Sequence, residues 1–176
     1  EIRERVDYSY ERVNSALKSL AEKKIVKEEK TGKTLVYSLD LQSIWAESGF
    51  DFYMLEREIE FRKKHRALYN AIKEIRGNPH IWMIVLFGSY SKGTETSRSD
   101  VDLICISDKK EETERFVRSL RYKYDARFSP VVLPLYEFPN IKKDNPELWM
   151  DLKMHGIVFK GEDYFYGWMY KDEKAE

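Results

Sequence analysis

The chain has 176 residues, and its 31 Lys plus Arg are matched by 31 Asp plus Glu, so net charge supplies no general affinity for nucleic acid. Apolar residues make up 42% and aromatic residues 14%, which excludes a disordered chain and provides for a packed core. The lone Cys105 excludes an internal disulfide or a Cys-based zinc site, and no signal peptide or run of about 20 apolar residues is present, which points to the cytoplasm.

The chain begins at Glu1 without a methionine, which reads as a fragment that lacks some of its natural N-terminus. Glu1 to Val6 looks like the end of a helix, and Asp7-Tyr8-Ser9 like a turn whose Ser9 caps the next helix. That helix, roughly Tyr10 to Lys23, places Val13, Ala16, Leu17 and Leu20 on one face. Its other face carries Arg12, Asn14, Ser15, Lys18 and Ser19. Ile25 to Glu29 and Thr34 to Leu39, joined across Lys30-Thr31-Gly32-Lys33, read as a hairpin.

The stretch "SYERVNSALKSLAEKKIVKEEKTGKTLVYSLDL" resembles the winged helix-turn-helix family. The resemblance implies duplex DNA as a partner, with the second helix in the major groove and the wing near the backbone. Ser9, Tyr10, Arg12, Asn14, Lys18 and Lys33 are then the candidate DNA-binding residues. The motif's first helix is cut short or absent. Over residues 1–41, nine basic side chains face eight acidic ones, so phosphate affinity rests on Arg12, Lys18, Lys27, Lys30 and Lys33. The alternative is a head that docks protein or dimerises.

Residues 42–78 read as one long connecting helix, with Phe61, His65, Leu68, Ile72 and Ile75 recurring at spacings of three and four. A helix in this place often supplies a homodimer contact as well. His65 lies on the stripe and reads as a packing residue. Gly77-Asn78-Pro79 ends the segment.

Residues 79–176 alternate element types: strand 80–87, a short helix near 89–92, strand 100–106, helix 110–122 and strand 128–135. A helix over Leu148 to His155, a short strand over Gly156 to Lys160 and an aromatic-rich last helix complete an α/β (α+β) pattern. Within it stands "VLFGSYSKGTETSRSDVDLICIS", Val85 to Ser107. Side chains two apart in a strand share a face, about 6.5–7 Å apart at the backbone. Asp100 and Asp102 therefore point together, away from Val101 and Leu103. Paired carboxylates suit Mg²⁺, which takes one or two of them together with phosphate oxygens. Gly88 and Gly93 allow backbone N–H groups close to a phosphate, Ser89 opens a short helix, and Ser99 can hydrogen-bond where the strand begins.

The string G-S-x3-G-x5-S-D-x-D-L resembles the signature of the polymerase-β-like nucleotidyltransferases, best of all the minimal type. The resemblance covers some 80–90 residues of the third segment. It implies a mixed sheet flanked by helices and metal-dependent transfer of a nucleoside monophosphate from a nucleoside triphosphate such as ATP to an acceptor hydroxyl. It assigns Asp100 and Asp102 as catalytic metal ligands for Mg²⁺ or Mn²⁺, and Gly88, Ser89, Gly93 and Ser99 to the nucleotide. Similar enzymes modify proteins in toxin–antitoxin pairs or small molecules such as aminoglycosides. A protein acceptor is favoured, because the transferase part is short for a dedicated small-molecule pocket. The family's third acid is not evident. In "DARFSPVVLPLYEF" Ser129 falls at its expected place, with Asp125 and Glu137 flanking. Two readings follow: an enzyme tethered to a DNA-binding head, or a transcription regulator whose degenerate transferase domain senses nucleotides.

Overall fold

Ser9 has extended backbone (φ −63°, ψ 154°), and its Oγ accepts the Arg12 N–H at 3.4 Å, which starts helix α1, Tyr10–Glu22. This computed structural model describes residues 8–32 and 34–171. The expected helix end at Glu1–Val6, the turn residue Asp7, and Lys33 lie outside the described residues. The chain divides into two compact units, Glu1–Phe50 and Asp51–Glu176.

In the first unit, Lys24 takes a left-handed conformation (φ 56°) and turns the chain from α1 into a hairpin. Strands β1 (Val26–Thr31) and β2 (Thr34–Leu39) pair antiparallel from Val26↔Leu39 to Thr31↔Thr34. Gly32 sits in the tight turn with φ +63°, where a side chain would be strained. Lys27 pairs with Asp40 at 2.9 Å, and the Tyr37 hydroxyl donates to Glu28 at 2.7 Å. Val13, Leu17 and Leu20 are half-buried and Ala16 is exposed, so α1 hides none of its described residues completely.

Helix α2 runs Ile44–Lys64 and α3 runs Arg66–Arg76, so the expected single helix is broken. The break is at His65 (φ −129°, ψ 56°), whose ring lies 4.9 Å from Phe61 and 5.3 Å from Tyr90, with Nε2 3.2 Å from Glu95. Helical spacing continues across the break because Phe61, Leu68, Ile72 and Ile75 all reach the same core. Periodicity alone cannot register a kink held by tertiary contacts.

The second unit carries a mixed four-stranded sheet in the order β5-β4-β3-β6, with β3 at Ile81–Phe87, β4 at Val101–Ser107, β5 at Phe128–Leu133 and β6 at Ile157–Lys160. The β4–β5 pair is parallel and the other two pairs are antiparallel. Alternation sends Ile84, Leu86, Leu103 and Cys105 into a core with α3 and Val117. Met83, Val85, Ile104 and Ile106 are buried on the opposite face. Pro134 ends β5, so the strand stops at Leu133, short of the expected residue 135, and a 3-10 turn follows at Leu135–Asn140. The aromatic tail goes largely to the core: Phe165, Tyr166 and Met169 are buried, while Tyr164 and Trp168 stack on each other at 5.8 Å.

Candidate active site

The site forms where β3 hands over to a five-residue helix, α4 (Gly88–Lys92), beside the start of β4. Gly88 has φ +73°, and a Cβ built there would collide with Asp102 Oδ2. Two independent constraints thus demand glycine at this position: the backbone conformation and the carboxylate pressed against it. Gly93 closes the helix in the left-handed region (φ +70°) and faces open space. The Ser91 hydroxyl donates to the Gly88 carbonyl at 3.0 Å, and Arg57 Nη2 donates to the Ser91 carbonyl at 2.8 Å. Arg57 Nη1 also reaches the Gly156 carbonyl at 3.3 Å, so one guanidinium braces the loop against the chain ahead of β6.

Asp100 and Asp102 share one face, while Val101 and Leu103 between and beyond them are fully buried. Asp100 is exposed and Asp102 half-buried. Burial, with the charge of Asp100 as the second cause, raises the Asp102 carboxyl above its ordinary range. A hard divalent cation is the species that relieves both penalties, and a carboxylate pair is its usual donor set. Among the described residues no group of three or more His, Cys, Asp or Glu forms a metal cluster, so the donors here are a pair.

Parallel register sets Asp102 opposite Ser129, with Val101 opposite Phe128 and Leu103 opposite Pro130. A hydroxyl therefore stands beside Asp102 on the neighbouring strand. Asp125 lies before β5, exposed and left-handed (φ 48°). Glu137 follows the far end of the strand, where Leu133 pairs with Ile106, four rows from Asp102. Neither acid stands in the row of Asp102.

Other sequence candidates are distributed as follows. The Ser89 hydroxyl is half-buried at the loop, with no hydrogen-bond partner among the described residues. Ser99 Oγ accepts the Thr96 N–H at 3.0 Å and so shapes the turn ahead of β4. Beside these candidates, Lys92 at the end of α4 forms an ion pair with Asp151 at 2.6 Å. In the first unit Tyr10, Arg12 and Lys18 are exposed, Asn14 is half-buried, Ser9 caps its helix, and Lys27 is engaged with Asp40.

Sequence reasoning missed two features. Arg127 Nε lies 2.8 Å from Asp100 Oδ1, and Arg57 braces the loop from a distant helix. The first was open to detection, because Arg127 precedes Ser129 by two and so shares its face. The second had no local signal, since Arg57 is 34 residues from Ser91.

A family model described as nucleotidyltransferase domain matches residues 65–158. A protein of Methanocaldococcus jannaschii that bears the provisional name of protein adenylyltransferase is 28% identical over 90 residues. That match takes in 47% of this chain and 60% of the relative, so the chain spans about three fifths of the relative's length. Among crystal structures, a toxin-antitoxin with AMP-PNP aligns at 21% identity over 58% of this chain and 81% of the other, with a TM-score of 0.41. A mutant of the toxin-antitoxin MntA-HpeT aligns at 18% identity over the same shares with a TM-score of 0.43.

Proposed function

The chain belongs to the nucleotidyltransferase domain family, whose model spans more than half of it, and from that premise we propose that it moves a nucleoside monophosphate from a nucleoside triphosphate to a hydroxyl on a protein acceptor. The observation that carries this reading is the carboxylate pair Asp100 and Asp102 at the start of β4, with Asp102 pressed against Gly88, the glycine of the Gly-Ser turn. In the reaction the acceptor oxygen attacks the α-phosphorus, the bond to the bridging oxygen of the β-phosphate breaks, pyrophosphate leaves, and the acceptor proton passes to a base. Asp100 and Asp102 would hold Mg²⁺ or Mn²⁺, which supplies Lewis acidity and charge compensation at the phosphate oxygens. Gly88 brings its backbone within reach of the triphosphate, and the Ser89 hydroxyl offers a donor to it. The name of the archaeal relative supports a protein acceptor.

The test uses nucleoside triphosphates labelled in the α-phosphate, Mg²⁺ or Mn²⁺, and cell extract. A metal-dependent labelled protein is expected, together with pyrophosphate release. Both should vanish when Asp100→Asn and Asp102→Asn are combined in a protein that still folds. Unchanged nucleotide affinity in that double variant overturns the site assignment.

Ser129 favours a second reading. A hydroxyl opposite Asp102 neither adds anionic charge nor accepts a proton at neutral pH, so the domain would bind nucleotide and turn over slowly, as a sensor. Tight triphosphate binding without pyrophosphate release in the native protein would select it.

For the first unit the proposal is duplex DNA binding by a winged helix-turn-helix head. A helix followed directly by a hairpin supports it, as do the exposed Arg12, Lys18 and Lys30. Replacing Arg12, Lys18 and Lys33 with Ala should weaken duplex binding and flatten its salt dependence by about 0.9 for each phosphate no longer neutralised. Absence of duplex binding at low salt would favour a protein-docking head instead.

A further inference from the structure

The face that carries Asp100 and Asp102 also carries a cation of the protein's own. Arg127 Nε lies 2.8 Å from Asp100 Oδ1. Its Nη2 donates to the Arg98 carbonyl at 2.7 Å, so the guanidinium is held at both sides. Its backbone is fixed too, because the Val101 N–H donates to the Arg127 carbonyl at 2.7 Å and continues the parallel ladder one step outward. Arg127 and Ser129 thus flank Asp100 and Asp102 as one row flanks another. The two carboxylates and one guanidinium sum to a charge of −1 (−2 + 1).

We propose that Arg127 competes with divalent metal for Asp100, so that loading the site requires displacing a guanidinium built into the neighbouring strand. The inference rests on the reading of Asp100 and Asp102 as metal ligands. An arginine offers five donors, no acceptor, and a charge that persists at every working pH, so it cannot join the coordination shell. A metal ion and a guanidinium on the same carboxylate repel, so metal on Asp100 favours release of Arg127. The exchange is feasible because the pair is wet: Arg127 is 68% exposed and Asp100 45%, and ion pairs of that kind are weak. Once displaced, the guanidinium presents a planar fork suited to phosphate oxygens, the group that arrives with the metal.

The experiment titrates Mn²⁺ and follows the free ion by electron paramagnetic resonance, a readout independent of turnover. Arg127→Ala should bind Mn²⁺ about fivefold more tightly than the native protein, the gain expected from removing a weak, exposed competitor. Arg127→Gln, which keeps a donor for the Arg98 carbonyl but no charge, should show the same gain and covers the case in which the alanine variant folds poorly. Adding Asp100→Asn to Arg127→Ala should cancel it. Folded variants that bind Mn²⁺ no tighter than the native protein overturn the competition. If Mn²⁺ binding survives the combined Asp100→Asn and Asp102→Asn change, the metal-ligand reading falls with it. If binding is lost there yet indifferent to Arg127, only the competition falls.

Discussion

Among the described residues of Glu1–Phe50, only Ala46 and Phe50 are buried apolar side chains, while Leu35, Val36, Leu39, Ile44 and Trp45 are exposed. In Asp51–Glu176, both faces of a four-stranded sheet are closed, and Ile84, Leu86, Leu103, Ile104 and Cys105 are completely hidden. Both units have amphipathic helices and paired strands, so local structure does not separate them. Depth of burial does. Small units bury a smaller fraction of their surface, and the stability of each follows from the apolar area removed from water. The buried core of the large unit can offset the cost of holding the half-buried Asp102 carboxylate next to the charge of Asp100. The small one offers a displayed surface.

The largest expected effect uses Cys105, the chain's single thiol. It lies at the centre of β4, and burial pushes its thiol up to about 12. The folded large unit should therefore protect it from thiol reagents at pH 8 by at least about a thousandfold, the population of open states in a domain stable by several kcal/mol. With rising denaturant, helical signal from the small unit should fall before Cys105 becomes reactive. Simultaneous loss of both would break the comparison and show one cooperative unit.

A pair of substitutions sharpens it. Leu103→Ala removes a fully buried side chain from the centre of the sheet and should cost about 2–5 kcal/mol, read as earlier Cys105 labelling. Leu17→Ala, at a half-buried position of α1, should cost about 1 kcal/mol and leave Cys105 protection unchanged. Equal costs would break the contrast in burial between the two units.

This difference also marks what the sequence could convey. Period-two alternation in β3 and β4 placed Val101 and Leu103 inward and Asp100 and Asp102 together, because a strand's geometry is local. The Ser9 cap and the β1–β2 hairpin were legible for the same reason. The break at His65 was not, since Phe61, Tyr90 and Glu95 hold that residue from separate segments. Alternation put Arg127 on the face of Ser129, but its pairing with Asp100 also needed the offset between β4 and β5, which belongs to the tertiary fold.

The row opposite the carboxylates supplies the next test. Ser129→Asp places a third carboxylate beside Asp102 on a strand that the core already holds. It should raise pyrophosphate release at least about tenfold, or ~1.4 kcal/mol of barrier. Duplex binding by the small unit should be unaffected. No gain, or a loss, would assign the base function to another group and weaken the view of Ser129 as the limiting residue.

The smallest effect tests whether the large unit sacrifices stability at its site. The Asp102 carboxyl is raised, first by burial and then by Asp100, so the folded state binds its proton more tightly than the unfolded chain does. Above the raised folded value the ionised carboxylate therefore destabilises the native state. As pH falls from that value to the ordinary value of an unfolded aspartate, about 3.9, the native state protonates first and the penalty disappears. Asp102→Asn, which is isosteric and uncharged, should consequently melt higher than the native protein at pH 7 in chelator. The difference should shrink through that acidic window and vanish below it. The shift will be modest, because Asp102 is only half-buried and water screens part of the cost. A lower melting temperature for the variant at pH 7 would show that the carboxylate already has compensation without metal, and Arg127 would be the group to remove next.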